Sequence, residues 1–243
     1  MSVLVVGGTK GIGRATALRF AETGEFIFVN GHADTEAAEK TAAMVRDRGA
    51  EAVVILGDVS TADGAQAILD EVSAHTSHLR VVVHCAVSPV SGLLLELDPK
   101  QVERSVQTGG LSVLYLVKAA ESLLSEGSSI TFVSSLGALR AVPRYGAIGV
   151  AKATAEALVR YLAVELAPRG IRVNTVSSGP VDTDAYRAAF PDADERLAQA
   201  AERSPAHRPQ TVDDVAKLIH LVASPGMALV QGQHIRVDGG LYL

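Results

Sequence analysis

A chain of 243 residues, 48% hydrophobic and 20% charged, is long enough to bury one large α/β core and apolar enough to fill it. A net charge of −5 without a basic block, and an aromatic content of 4%, exclude the electrostatic footprint and base-stacking platforms of a nucleic-acid binder. The lone Cys85 excludes an intrachain disulfide, and the N-terminal apolar run is too short for a signal peptide or membrane span, so a cytoplasmic location is expected.

Val3–Val6 is apolar without alternation, the pattern of a strand buried on both faces. It runs into Gly7, Gly8, Gly11 and Gly13, with Thr9, Lys10 and Ile12 among them, and a helix over Gly11–Glu22 follows without a gap. Strand, glycine turn and helix make a phosphate cradle, because glycines let backbone approach a pyrophosphate and the helix start presents unpaired N–H groups. A merely structural turn is the plainer reading of the same residues.

Further strands are predicted at Phe26–Asn30, Ala52–Leu56, Arg80–Cys85, Ser129–Ser134, Ile171–Ser177 and Gln233–Val237. Helices are predicted between them at Thr35–Arg48, Ala62–Ser73, Lys100–Ser125 (broken near Gly109-Gly110), Tyr145–Ala167 and Val212–Ala223. This alternation predicts a parallel sheet with helices on both faces. Asp182 to Gln210 departs from the rhythm and carries Pro191, Pro205 and Pro209. It reads as a short helical lid over the carboxyl ends of the strands, or as an ordinary long surface connection. The helix Tyr145–Ala167 is apolar around most of its circumference, with Arg160 and Glu165 as the main exceptions, which predicts a partner subunit and a homo-oligomer. No metal site is read.

Gly7–Gly13, Asp58-Val59, the Ser135/Tyr145/Lys152 region and the ending Gly232 to Gly240 together resemble the short-chain dehydrogenase/reductase family, in the family's order and over almost the whole chain. The resemblance implies a single doubly wound (Rossmann) domain with a seven-stranded sheet, a bound nicotinamide dinucleotide, and dimers or tetramers. It implies that Gly7, Gly11 and Gly13, with their loop neighbours Thr9, Lys10 and Ile12, hold phosphates. It places Asp58 against the adenine with Val59 beside it, and makes Ala86 the small residue against the cofactor. Thr183 would lie near the nicotinamide amide and phosphates, and Val181 would offer its backbone to that amide. The plainer reading of Asp58 is a cap for the helix starting near Ala62.

Most members of that family carry Tyr-x-x-x-Lys, whereas the tyrosine slot before Lys152 is Ile148 here and a tyrosine stands seven residues before the lysine, at Tyr145. Seven residues are almost two turns, about 20° from eclipsed, so both side chains can enter one cleft. The spacing is similar to that of the enoyl-acyl-carrier-protein reductases, most of all the type III enzymes. Reducing a conjugated C=C sends hydride to the β-carbon while charge develops on the thioester oxygen, which a phenol can stabilise. That oxygen lies farther from the hydride acceptor than a ketone oxygen, so a displaced tyrosine suits it. Lys152 would hold the nicotinamide ribose and favour the phenolate, and Ser135 would bind substrate. Each has a bland alternative: Tyr145 as a packed tyrosine at a helix start, Ser135 as a turn residue, Lys152 as a surface lysine.

Departures from the family accompany these matches. Its Asn-Asn-Ala-Gly is His84-Cys85-Ala86-Val87 here, so His84 either replaces an asparagine bond or fills a strand end. Cys85 reads as a small buried residue rather than a nucleophile. The asparagine usual in the fourth long helix aligns with Gly109, which removes a water relay through that side chain. No carboxylate follows the second strand at Asn30 or Gly31, Asp34 reads as a helix N-cap, and His32 and Ala33 stand where an arginine is usual. Lys10 can meet a 2′-phosphate, so NADPH is expected over NADH. Three readings follow: an NADPH-dependent enoyl-thioester reductase, a carbonyl reductase of secondary metabolism, or a catalytically silent dinucleotide-binding protein. For the first, Tyr186, Phe190 and Leu197 could line an apolar channel for a small-molecule or carrier-bound acyl substrate. Arg140, Arg144, Arg187 or Arg203 could face an acidic carrier, or each be simply solvated.

Overall fold

A computed structural model describes all 243 residues. Seven strands, β1 (Ser2–Val6), β2 (Phe26–Gly31), β3 (Ala52–Leu56), β4 (Val81–His84), β5 (Ser129–Ser135), β6 (Arg172–Ser178) and β7 (His234–Val237), form one sheet in the order β3-β2-β1-β4-β5-β6-β7. Every pairing is parallel. The predicted strands are all present, with ends displaced by no more than a residue.

The continuous apolar runs have their cause in this architecture, since a parallel sheet covered on both faces leaves no solvent side for polar residues. Along β1, Val3 and Val5 pack into one core layer while Leu4 and Val6 pack into the other. The first layer is completed by α1 (Gly11–Ala21), α2 (Thr35–Arg46) and α9 (Val212–Ala223). The second is completed by α3 (Ala62–Ser73), α5 (Ser112–Ala119) and α6 (Gly146–Leu166). Each fully buried aliphatic contributes roughly 1.5–3 kcal/mol, and β2 and β4 likewise send residues into both layers.

The long predicted helix Lys100–Ser125 is α4 (Pro99–Val106), then a π-helical turn over Gln107–Leu111, then α5. The break expected at Gly109-Gly110 is therefore a widened turn rather than a gap, and it packs against α6. Two helices, α7 (Asp184–Ala189) and α8 (Ala193–Arg203), occupy the segment read as a short helical lid. Phe190, Pro191 and Asp192 separate them, and proline cannot continue the helix that precedes it. Along α6 the inward face is fully packed, while Val150, Tyr161 and Val164 are 48%, 72% and 75% exposed. No helix is long and apolar enough to cross a membrane.

Candidate active site

β1 and β4 are neighbours, but β1 leads to β2 on one side and β4 to β5 on the other. A crevice opens at the carboxyl ends of strands where the winding reverses in this way. The Gly7–Gly13 loop and Ala86 face each other there, so closely that a β-carbon at Gly7 would lie 2.8 Å from the Ala86 nitrogen. Helix α1 begins with no side-chain cap and no acidic residue in its first turn. By contrast α2, α3, α7 and α9 are capped by Asp34, Thr61, Thr183 and Thr211. An uncapped helix start in a glycine cradle is built for an anion. Gly11, at φ 52°, stands where a β-carbon would meet Thr183 Cγ2 at 3.1 Å, so the loop and the first turn of α7 touch. The Thr9 carbonyl accepts from Arg14 Nη2 at 2.7 Å and Thr41 Oγ1 at 2.8 Å, which fixes the loop.

Asp34 caps α2 as expected, with Oδ1 accepting from Ala37 N at 3.0 Å. Its other oxygen lies 2.7 Å from Lys10 Nζ. Their shared hydrogen bond raises the lysine pKa and lowers that of the carboxylate. Nothing in the local pattern marks this pair, because 24 positions separate its members. His32 is exposed at the end of β2.

Asp58 does not cap α3; Thr61 does, accepting from Gly64 N at 3.0 Å. The Asp58 carboxylate instead accepts from Ser60 N at 3.0 Å and Arg104 Nη2 at 2.9 Å. Burial pushes its pKa up, and the bonds from Ser60 and Arg104 outweigh this to hold it below the ordinary value. Val59 turns its side chain into the core beneath.

Tyr145 is the residue just before α6 rather than part of it. Ser135 Oγ at the end of β5 donates to its hydroxyl at 3.3 Å. Arg144 before it has φ 64°, an uncommon backbone for a non-glycine residue, and its carbonyl accepts from Gly92 N at 2.9 Å. Gly137 makes room for the ring: a β-carbon there would fall 2.5 Å from Tyr145 Cδ1. Burial raises the phenol pKa, which the Ser135 bond only partly offsets, so the hydroxyl keeps its proton.

Lys152 is buried, not a surface lysine. Its Nζ donates to the Val133 carbonyl at 2.7 Å and lies 4.6 Å from the centre of the Phe132 ring. Burial lowers its pKa to about 8, so the ammonium form still predominates at neutral pH. Ile148, in the slot where most of the resembling family carry tyrosine, is buried against Ala189, Phe190 and Ala193.

Ile12, Ser135, Tyr145, Lys152, Val181 and Thr183 all line one cleft of about 280 Å³. Helices α7 and α8 roof it. Phe190 stacks on Tyr145 with ring centres 5.6 Å apart, and Tyr186 leans on Phe190 at 4.8 Å. Leu197 is a correction: it lines a smaller hollow beside the cleft with Pro209 and Gln210. On α8 the helical repeat turns Arg196, Gln199, Ala200 and Arg203 to the cleft and carries Leu197 off that stripe. Among the other arginines, Arg187 is held by Asp182 at 2.6 Å and Asp194 at 3.0 Å, while Arg140 and Arg144 are exposed.

His84 ties β4 to α5, its Nε2 being 2.7 Å from Ser112 Oγ, and burial holds it neutral with a pKa near 3, lowered further by Lys152. Cys85 lines the cleft, but burial pushes its thiol up to about 12, which leaves no thiolate at neutral pH. Local pattern missed Arg14, Arg104, Gly137 and Glu156. Only Glu156 had an available signal, its position one helical turn after Lys152.

A glycine-loop strand–helix unit at the switch point, opening onto a cleft lined by Ser135, Tyr145 and the buried Lys152, is the frame of a dinucleotide-binding domain. A family model described as enoyl-(acyl carrier protein) reductase matches residues 6–242, and the chain belongs to the short-chain dehydrogenase/reductase family. It is 34% identical, over 98% of its length and 85% of the relative's, to a 1-cyclohexenylcarbonyl-CoA reductase of Streptomyces collinus. A versicolorin reductase of Emericella nidulans is 29% identical over 98% of this chain and 94% of its own. Among solved structures, a short-chain dehydrogenase from Burkholderia cenocepacia in complex with NADP matches with a TM-score of 0.90 and 28% identity, covering 99% of this chain and 97% of that one. The protein is an NAD(P)-dependent reductase of this family.

Proposed function

We propose that the protein is an NADPH-dependent reductase of the C=C bond in an enoyl thioester, and that it works in the cytoplasm as a homo-oligomer. One observation carries the reading: the phenol faces the cleft from Tyr145, under the lid formed by α7 and α8, while Ile148 fills the more usual slot with lid packing. A thioester oxygen three bonds from the hydride acceptor, two more than in a ketone, is the acceptor that this displaced phenol suits.

In this assignment Gly7, Thr9, Gly11, Ile12 and Gly13 hold the pyrophosphate, and Lys10 with His32 meets the 2′-phosphate. Asp58 and Val59 bound the adenine, Ala86 lies against the dinucleotide, and Val181 and Thr183 hold the carboxamide. The uncapped start of α1 fits such an anion. When bound, the dinucleotide supplies the hydride. Tyr145, kept protonated by burial, donates its hydrogen bond to the substrate oxygen as negative charge develops there. Ser135 orients that hydroxyl, and the Lys152 ammonium favours negative charge on it. Tyr186 and Phe190 keep water from the enolate.

The similarity to a versicolorin reductase supports a second reading, a carbonyl reductase with a re-sited tyrosine. NADPH oxidation with crotonyl thioester beside a panel of ketones separates the two, repeated with Tyr145→Phe. Thioester turnover that depends on Tyr145 is the expected result. Turnover of ketones alone establishes the second reading, and dinucleotide binding without any turnover removes both.

A further inference from the structure

Glu156 is a buried carboxylate, 5% exposed, one helical turn beyond Lys152 on the packed face of α6. A buried carboxylate without partners is strongly disfavoured, so its surroundings say what it is for. Ser134 Oγ donates to Oε1 at 2.5 Å, and His234 Nδ1 on the edge strand β7 lies 3.6 Å from Oε2. Lys152 is bonded to the carbonyl of Val133, the residue next to Ser134. Two charged side chains of opposite sign, one turn apart on α6, are thus tied to consecutive residues of β5. The lysine has only one hydrogen bond for three N–H groups and no carboxylate within ion-pair distance, while Cys85 and, after it, Glu156 favour its charged form.

We infer that Glu156 is a positioning residue for Lys152: with Ser134 it pins the catalytic helix to β5, and its charge holds the lysine as an ammonium at the floor of the cleft. The inference rests on the reading of Lys152 as an active-site residue. The groups facing this pair are few. From β4 and the residue after it, His84 and Cys85 are neutral by burial; β5 contributes the Ser134 hydroxyl; β7 contributes His234; the residues of β6 at this level, Thr175 and Ser177, carry no charge. Burial drives the lysine toward its neutral form; Cys85 and then Glu156 oppose this, and with the thiol protonated at neutral pH the carboxylate is the charged one of the two.

The chain has six lysines, so Lys152 can be followed directly by NMR with lysine labelled at the ε-carbon, its signal assigned from Lys152→Arg. In Glu156→Gln the Lys152 titration midpoint is expected to fall by about one pH unit, with Glu156→Asp restoring most of it and the other five lysines unmoved. Ser134→Ala, which lets the carboxylate swing toward His234, is expected to move the midpoint the same way by less, and it stands in if Glu156→Gln does not fold. An unchanged midpoint in the folded variants overturns the inference. This readout needs neither dinucleotide nor substrate, so absence of thioester turnover by the unaltered protein is a separate result and bears only on the proposed reaction.

Discussion

The ring of Tyr145 lies nearly parallel to that of Phe190, 13° apart in plane and 5.6 Å between centres. The phenol is thus held from below by Ser135 and from above by the segment that joins α7 to α8. Phe190→Leu keeps the site apolar but removes the stack. An aromatic pair of this kind contributes about 0.5–1.5 kcal/mol, so a roughly two- to tenfold fall in kcat is expected, measured under saturating NADPH.

Gly137→Ala tests the same ring from its other side. The new methyl would sit 2.5 Å from Cδ1 and displace the tyrosine. We expect kcat to fall by at least about tenfold, because small misplacements of a reacting group are costly. NADPH affinity, followed by its fluorescence on binding, should be unchanged.

Lys152 imposes a pH signature on stability. Its folded-state pKa of about 8 lies below the ordinary lysine value, so between the two the unfolded chain binds more protons and stability rises with pH. Below pH 8 the buried ammonium is a standing cost. Lys152→Met removes it while leaving the Val133 carbonyl without its donor, for a net stabilisation of about 1–2 kcal/mol at pH 7. Thermal melts should show a Tm several degrees higher for the variant at pH 7, with the gap closing above pH 10.

Lys10 is paired with Asp34, so in the proposed NADPH assignment the lysine must exchange its carboxylate for the 2′-phosphate. Asp34→Ala is expected to lower the KM for NADPH by roughly fivefold, and Lys10→Ala to raise it about tenfold, with little change for NADH. A higher kcat/KM with NADH in the unaltered protein would reverse the assignment.

Val150, Tyr161 and Val164 fall on one side of α6, within about 60° of one another by the helical repeat. Light scattering is expected to give a dimer or tetramer mass, reduced to the monomer by Tyr161→Asp with Val164→Asp.

Much of the architecture was legible because parallel, doubly covered strands must be apolar runs, as Val3–Val6 and Val81–Val83 are. The Tyr145 to Lys152 spacing was legible because a helical repeat converts sequence distance into direction. What escaped depends on the tertiary fold. Asp58 meets Arg104 across 46 positions and Lys10 meets Asp34 across a strand, which no local periodicity encodes. Leu197 was misplaced because a helix one residue out of phase presents a different stripe, and its phase is set by packing on the cleft. Glu156 was overlooked for a mixed reason: Lys152 stands in plain view one turn away, but its hydrogen-bond partner Ser134 lies on another element, 22 positions earlier.

Helix α6 also joins two regions of the molecule that are usually considered separately. From Ala151 to Leu166 it contains neither glycine nor proline, and its axis from Lys152 to Val164 spans about 18 Å. Such a rod has no hinge at which to absorb a push. A small molecule wedged against Tyr161 and Val164 would therefore push on the Lys152 ammonium, making the outer face a remote handle on turnover without competing for the cleft.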